Sequence, residues 1–436
     1  MVFRIGILGG GPAGLTAALA LESYCNGRDI QVTLIDRNKS AKDYPGVEYG
    51  IQERACRAFE RMGIKGEALR RGNPNTVIEF RNGKNNTKQG EVKTNPNYCV
   101  CVVRQDFLAD LESLLKSTKI LRQHIVTKIH PHADSTMEVY YAIGKETIKK
   151  SMTFDFLVAA DGVQSIVRKA FFPEHETVYD RGFSSLYMLI EIPENMAPQH
   201  FSTLANGSSS ILIMGTSSTA TLFPMGKNRL AVGIGFDHAV RSKLWSEQDL
   251  PTDMEWSDIP AAKKHAIALK LAEDAPYADG VIGKSMAFVP DWDHYKIYLW
   301  KMRDSDALPE PFAKANQGNF VVIGDAAHAI MPTIGMGASL AIEDAERLGS
   351  LMAQAINAVP NAEALGTRMQ TQVCVAFAKE RYPVWKDLIS RARKAAALNF
   401  TNISHRKRFS MSPQIPGTVL STIVAGFERV RDRLGL

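Results

Sequence analysis

The stretch Arg4-Ile5-Gly6-Ile7-Leu8-Gly9-Gly10-Gly11-Pro12-Ala13-Gly14 decides the fold. Arg4–Leu8 is a short apolar run that reads as a buried strand, and Leu15–Tyr24 is an Ala- and Leu-rich helical segment. Between them, glycines at 9, 11 and 14 permit a tight turn, close approach of backbone to a pyrophosphate, and close packing of helix on strand. Gln31–Ile35 reads as a second strand and runs into Asp36. That carboxylate falls 22 residues after Gly14, near the separation of roughly 20 expected of a group that binds an adenosine ribose hydroxyl. Such a βαβ start predicts a bound dinucleotide.

Outward from this unit, Arg54–Met62 and Asp106–Lys116 carry helical apolar spacing, and the polar Gly83–Lys93 segment suits a surface hairpin or insertion. Glu138–Lys149 alternates, and Thr153–Ala160 carries the chain back into a buried sheet. From about Phe183 to Gly283 the character changes. Leu186–Ile192, Ser210–Gly215, Thr219–Pro224 and Arg229–Phe236 read as strands between Gly, Ser and Asn turns, which predicts a mostly antiparallel sheet. Asn319–Gly324 is again a buried strand, followed by a helix over Met336–Ile356. Beyond Pro360 the chain is mainly helical, most clearly over Met369–Leu388.

At 436 residues and 45% hydrophobic content the chain can bury a large core in two or three domains. The net charge is +6, but Lys and Arg are dispersed, which argues against a nucleic-acid footprint. Five cysteines without secreted-scaffold spacing point to reduced thiols in a cytoplasmic setting, and Cys99-x-Cys101 alone is insufficient for a metal site, so none is expected. Ile5–Leu21 mimics a signal-peptide core, yet its glycines have phosphate-loop spacing and no convincing cleavage site follows. Thr418–Phe427 is too short and interrupted to span a bilayer, so no membrane partner is expected. The sequons at Asn85, Asn206, Asn399 and Asn402 are then chance matches.

Two further blocks carry chemistry. Gly324-Asp325-Ala326-Ala327-His328 ends a strand and precedes Pro332-x-x-Gly335-x-Gly337-Ala338, which opens a helix. An Asp there suits a polyhydroxyl chain, and a helix start presents free N–H groups and a positive dipole end. Mid-chain, Phe156–Ala160 leads into Asp161-Gly162 and on to Arg168. The three ordered blocks resemble the fingerprints of the FAD-dependent aromatic hydroxylases related to para-hydroxybenzoate hydroxylase, over roughly residues 4–350. The resemblance implies an α/β fold: an FAD-binding Rossmann-like domain of glutathione reductase type, an inserted, mostly antiparallel substrate sheet, and C-terminal helices. It implies a discontinuous FAD-binding domain over 1–75, 98–180 and 284–355, a substrate domain over 76–97 and 181–283, and a helical region over 356–436.

By the same resemblance, Gly9, Gly11, Pro12, Ala13 and Gly14 hold the FAD pyrophosphate, Asp36 with Arg37 the adenosine ribose, and Val126 flanks the adenine. Asp325 holds the ribityl chain, and Pro332, Gly335, Gly337 and Ala338 cradle the flavin. Asp161 serves FAD and NAD(P)H, and Arg104 matches an arginine before a helix that contacts the cofactor. The implied activity is NAD(P)H-consuming insertion of one atom of O2 into an aromatic or polycyclic natural product through a flavin C4a-hydroperoxide, with NAD(P)H a transient co-substrate. The middle section looks like that of tetracycline-inactivating flavin monooxygenases. Met336 and Ser339 depart from a Gly-Gln-Gly-x-Asn loop and lose two side-chain amides. Trp256-Ser257-Asp258-Ile259-Pro260 supplies only fragments of a halogenase motif.

Tyr187, Met188, Met214, Thr216, Phe223, Pro224, Met225 and His238 lie on strands expected to face the substrate, each also suited to ordinary core. His328 belongs to the flavin-side motif and reads as structural. No general base is identifiable, and NADH versus NADPH, regiochemistry and oligomeric state are not legible. Two alternatives stay open: an FAD-dependent reductase or dehydrogenase without oxygen insertion, and a noncatalytic flavoprotein.

Overall fold

The computed structural model describes residues 2–25, 28–44, 46–83, 85–144, 150–175, 178–214, 218–274, 297–313, 317–358 and 362–396. Thr216, the side chain of Met214, the ends of the segments expected to reach Lys149, Gly215 and Gly283, the Pro360 break, and everything from residue 397 on lie outside the described residues.

The strand Phe3–Leu8 sits at the centre of a five-stranded parallel sheet. On one side it pairs with Phe156–Ala159 and through it with Phe320–Val322. On the other it pairs with Ile30–Ile35 and then Lys119–Leu121. All three sequence blocks therefore arrive at the same carboxyl edge, where ligands bind in open parallel sheets. Phe156, Leu157, Val158, Phe320, Val321 and Val322 are fully buried, as an interior parallel sheet requires.

The helix Pro12–Tyr24 lies against Gly337–Ala358, where a Cβ on Gly349 would stand 2.5 Å from that of Ala20. Small residues at this crossing let the two helix axes approach closely, and both helix starts end up at the same edge. An antiparallel three-stranded sheet, His124–Pro131, Met137–Ile143 and Lys150–Phe154, starts beside Asp36, whose carbonyl accepts from the His124 N–H at 2.9 Å.

The middle sheet has seven strands in the order Ile297–Ser305, Val178–Glu191, Arg229–Asp237, Ser218–Gly226, Ser209–Met214, Val77–Asn82 and Lys88–Lys93. Every pairing is antiparallel except Ser209–Met214 with Val77–Asn82. Val178–Glu191 is longer than the expected Leu186–Ile192. Its pairing with Ile297–Ser305 shifts between Asp180 and Ser184, near Gly182 at φ +76°. The break masks the upstream half of the strand from a period-two reading.

One face of this sheet, with Leu186, Met188, Ile190, Leu222, Val232, Ile234 and Phe236, packs under the helices His238–Glu247 and Ala261–Asp274. The opposite face carries Tyr187, Leu189, Phe223, Met225 and Ala231 against Val47, Cys101 and Val103. Strand alternation forbids adjacent residues from sharing a face. Met188 is accordingly corrected to the helix-side core, and only Tyr187 of that pair faces the seam. Pro224 is buried within its strand, and His238 starts a helix beside Asp180, Nε2 to Oδ1 3.7 Å, in ion-pair range only if protonated. Arg229 of the sheet reaches Asp106 at 2.8 Å, which also accepts from Arg71 at 3.0 Å, tying the sheet to the helix Arg104–Ser113.

Candidate active site

The three glycines occupy distinct positions in the first turn. Gly9 has φ +100°, and a Cβ there would meet the Ala160 carbonyl oxygen at 2.4 Å. A Cβ on Gly14 would stand 1.8 Å from the Gly9 oxygen, so glycine is required for helix and strand to touch. Gly11 differs: a Cβ would meet nothing within 4 Å. It precedes the helix without a side-chain cap, followed by Pro12 and the buried Ala13. The open space at Gly11 thus faces uncapped N–H groups, a ready anion site.

Asp36 is buried and accepts from the backbone N–H of Gly10 at 2.6 Å and of Asn38 at 2.7 Å, and from the Tyr44 hydroxyl. Arg122 Nη1 lies 3.2 Å from its Oδ1. Arg37 points to solvent, and Val126 is half-buried on the strand opposite Tyr141. Tyr44 and Arg122 at this end carried no recognisable sequence signal.

Asp161 accepts from the Ile166 N–H at 2.8 Å through Oδ2, while its buried Oδ1 has no hydrogen-bond partner among the described residues. Burial pushes its carboxyl up, against donors from Ser165 and Ile166. Arg168, almost fully buried, donates to the carbonyls of His175 at 2.7 Å, Asp306 at 2.8 Å, and Ala326 and Ala327 at 3.3 Å, and to Ser305 Oγ at 3.0 Å. It therefore clamps the second block onto the third.

Asp325 follows Gly324, whose φ is +61° and whose Cβ position is 3.0 Å from that of Ala13. Its side chain is solvent-accessible yet desolvated by the protein around it, as on the floor of a cleft. Burial raises its carboxyl, opposed by the charges of His328 and Arg104. His328 is completely buried: Nε2 lies 2.5 Å from Asp344 Oδ2, and the ring packs on Trp385 at 4.6 Å. Asp344 also accepts from Arg381 at 2.7 Å and Trp385 at 3.0 Å, and Arg381 continues to Glu343 and Glu343 to Arg54. The imidazole thus has a structural place under the loop rather than one facing the cleft.

The loop through Pro332, Gly335, Gly337 and Ala338 lies open at the surface of the cleft. Gln52 Nε2 donates to the carbonyls of Gly335 at 3.0 Å and Ile334 at 3.3 Å. Ser339 Oγ accepts from the Gln52 N–H at 2.9 Å, and Thr333 Oγ1 donates to Ala392 at 2.8 Å. Gln52, 287 residues from Ser339, brings a side-chain amide to the loop that Met336 and Ser339 leave without one.

Arg104 opens its helix with the guanidinium 4.9 Å from the Tyr49 ring and 5.9 Å from Trp300, and among the described residues its buried Nε has no hydrogen-bond partner. Gly46, φ +118°, makes room for it, since a Cβ would meet Nη1 at 2.4 Å. Glu48, absent from the sequence expectations, lies beside it, its carboxyl pushed up to about 7 by burial against the opposing charge of Arg104.

The turn at Gly11, the unpartnered Asp161 Oδ1 and Arg104 Nε, and the accessible Asp325 form one cleft at the sheet edge with polar groups left for a ligand. These features fit FAD: a helix start for its pyrophosphate, a carboxylate for its polyhydroxyl chain, and an open helix-start loop for its ring. Fold and site define an FAD-binding flavoprotein. The FAD binding domain family matches residues 3–273 and 300–373, and the chain belongs to that family. It is an FAD-dependent monooxygenase. It is 23% identical over 362 residues to an FAD-dependent monooxygenase of Talaromyces verruculosus, spanning 81% of this chain and 70% of that protein. It shares its fold with Klebsiella pneumoniae HpxO, crystallised with FAD and uric acid (TM-score 0.70, 18% identity, 97% of each chain). The tetracycline destructase Tet(55) also superimposes (TM-score 0.64, 15% identity, 97% of this chain and 96% of that one). Among the described residues, no helix is long and apolar enough to cross a membrane.

Proposed function

We propose that the enzyme takes electrons from NADH or NADPH and inserts one oxygen atom of O2 into an aromatic or polycyclic small molecule bound in the seam beneath the middle sheet. The observation that carries this reading is the seam itself. Tyr187, Phe223 and Tyr298 project from the sheet against Val47, Cys101 and Val103, with Tyr298 within reach of the Arg104 charge and Tyr187 of the Glu48 charge. Gly233 opposite Tyr187 leaves room for its ring: a Cβ there would meet Cε1 at 2.7 Å. An apolar, aromatic-lined space with few polar groups is the usual form of a small-molecule site. HpxO, of the same fold, carries a planar ring compound.

Bound FAD supplies the electron storage and the oxygen transfer. The chain's own residues bind and orient. The helix start at Gly11 would hold the pyrophosphate, and Asp325 would accept from the ribityl hydroxyls. The positive start of Gly337–Ala358 would stabilise negative charge at the edge of the ring, and Gln52 holds the loop carbonyls in place. The test is anaerobic and then aerobic turnover of the FAD-loaded protein with either nicotinamide and a panel of phenols and polycyclic ketones. Nicotinamide oxidation stimulated by a panel member and matched by product is expected. Oxidation indifferent to every panel member and matched by peroxide instead identifies a reductase.

A further inference from the structure

Glu48 stands beside Arg104 and is not one of the groups fitted to FAD. It pairs directly with Val103 across the strands Glu48–Ile51 and Val100–Val103, and directly opposed antiparallel residues share a face. Val103 and Cys101 pack against Leu189, Met225 and Ala231, so Glu48 projects toward the middle sheet. Tyr187, two residues before Leu189, lies on the facing side, with Tyr298 directly beside it. Among the described residues no other side chain hydrogen-bonds to or ion-pairs with the Glu48 carboxylate, although it is half-buried. A desolvated carboxylate without a partner is costly, and this one acts on Tyr187 across the seam. The charged or titratable groups around it are Arg104 at the helix start, Tyr49 on its own strand, Cys101 on the neighbouring strand and Tyr187 on the sheet.

We propose that Glu48 is the catalytic base, accepting the proton of a ring hydroxyl on a substrate held between it and Tyr187. This rests on the monooxygenase reading and narrows its substrates to phenols and enols. The substrate O–H bond breaks, the proton passes to a Glu48 carboxylate oxygen, and the electron pair remains on the substrate oxygen. No electrons are exchanged with the protein. Arg104 balances the charge that develops, and the more electron-rich ring is the better oxygen acceptor. The burial that lifts Glu48 toward neutrality suits a base working there.

The test compares FAD-loaded wild type and Glu48→Gln on phenol and its ring-fluorinated series, with labelled O2. For wild type, kcat/KM rises as pH passes about 7, because Glu48 must lose its proton to act. Glu48→Gln lacks that limb and loses about 100-fold in kcat/KM on weakly acidic phenols, with kcat falling more than KM rises. The difference closes for phenols already ionised at the assay pH, and Glu48→Asp recovers part of the rate. Flavin content and melting temperature of each variant exclude a folding defect. An equal loss across the series, a pH limb that survives in Glu48→Gln, or a wild type that oxygenates no phenol overturns the inference. Labelled oxygen in a product without a hydroxyl leaves the monooxygenase reading standing while this one falls.

Discussion

Gly11→Val gives a folded protein that purifies without flavin. A Cβ at 11 meets no atom of the described residues within 4 Å, so strand, turn and helix form undisturbed. The added methyls instead occupy the space before the uncapped helix start, where the pyrophosphate must lie against backbone N–H groups. Each lost charge-assisted hydrogen bond costs about 1.5–3 kcal/mol, so FAD affinity falls by at least about 100-fold. Gly14→Ala is the contrast, because its Cβ would stand 1.8 Å from the Gly9 oxygen and must push helix from strand. Circular dichroism, melting and the visible flavin band separate the two outcomes. Full flavin retention in Gly11→Val would contradict this placement of the cofactor.

Arg168→Met lowers stability by about 3 kcal/mol and loosens FAD. The guanidinium is buried and satisfies four backbone carbonyls and Ser305 Oγ. Methionine fills the volume but leaves buried acceptors unpaired, at about 1–3 kcal/mol for the first, with partial relaxation of the rest. Burial lowers the Arg168 pKa, opposed by Asp306, which marks a charge retained for its hydrogen bonds. Because Ala326 and Ala327 directly follow Asp325, the loss propagates to the floor of the cleft. Arg168→Lys rescues poorly, since an ammonium cannot reproduce the planar fork. Differential scanning calorimetry checks the first effect and flavin titration the second. An unchanged melting temperature would show that the clamp carries no stability.

The parallel sheet was legible because its determinants are local. Gly9, Gly11 and Gly14 each serve a backbone requirement within one turn, and Asp36 ends the next strand. The site's remaining parts depend on partners far away in the chain. Glu48 acquires its direction from pairing with Val103. Gln52 acquires its role from Ser339, and the buried place of His328 depends on Asp344, Arg381 and Trp385. Tyr187 and Met188 show the limit of composition: both suit a substrate face, and only the register of Val178–Glu191 assigns them to opposite sides. The shift between Asp180 and Ser184 interrupts the alternation that would otherwise reveal that register.

The loop at Pro332–Gly337 illustrates compensation across the fold. Two side-chain amides expected there are missing, yet the Gly335 carbonyl is held from outside by Gln52 and the Thr333 hydroxyl is anchored on Ala392 of the helix Cys374–Ala396. The buried chain from His328 through Asp344, Arg381 and Glu343 to Arg54 supports the same loop from below. Such paired charges are strongly destabilising to break, though not evidence of net stability in themselves. Their position beneath a cofactor cradle gives them a positioning role.

The most direct test of the central claim is turnover of the FAD-loaded protein under O2 carrying a heavy oxygen isotope, with NADPH and the panel of ring compounds, followed by mass spectrometry of every product. The account predicts a product heavier by a single labelled oxygen atom, formed only when nicotinamide, O2 and bound flavin are all present. A flavin that is reduced and reoxidised while all label ends in peroxide and water, with every panel member intact, would contradict it.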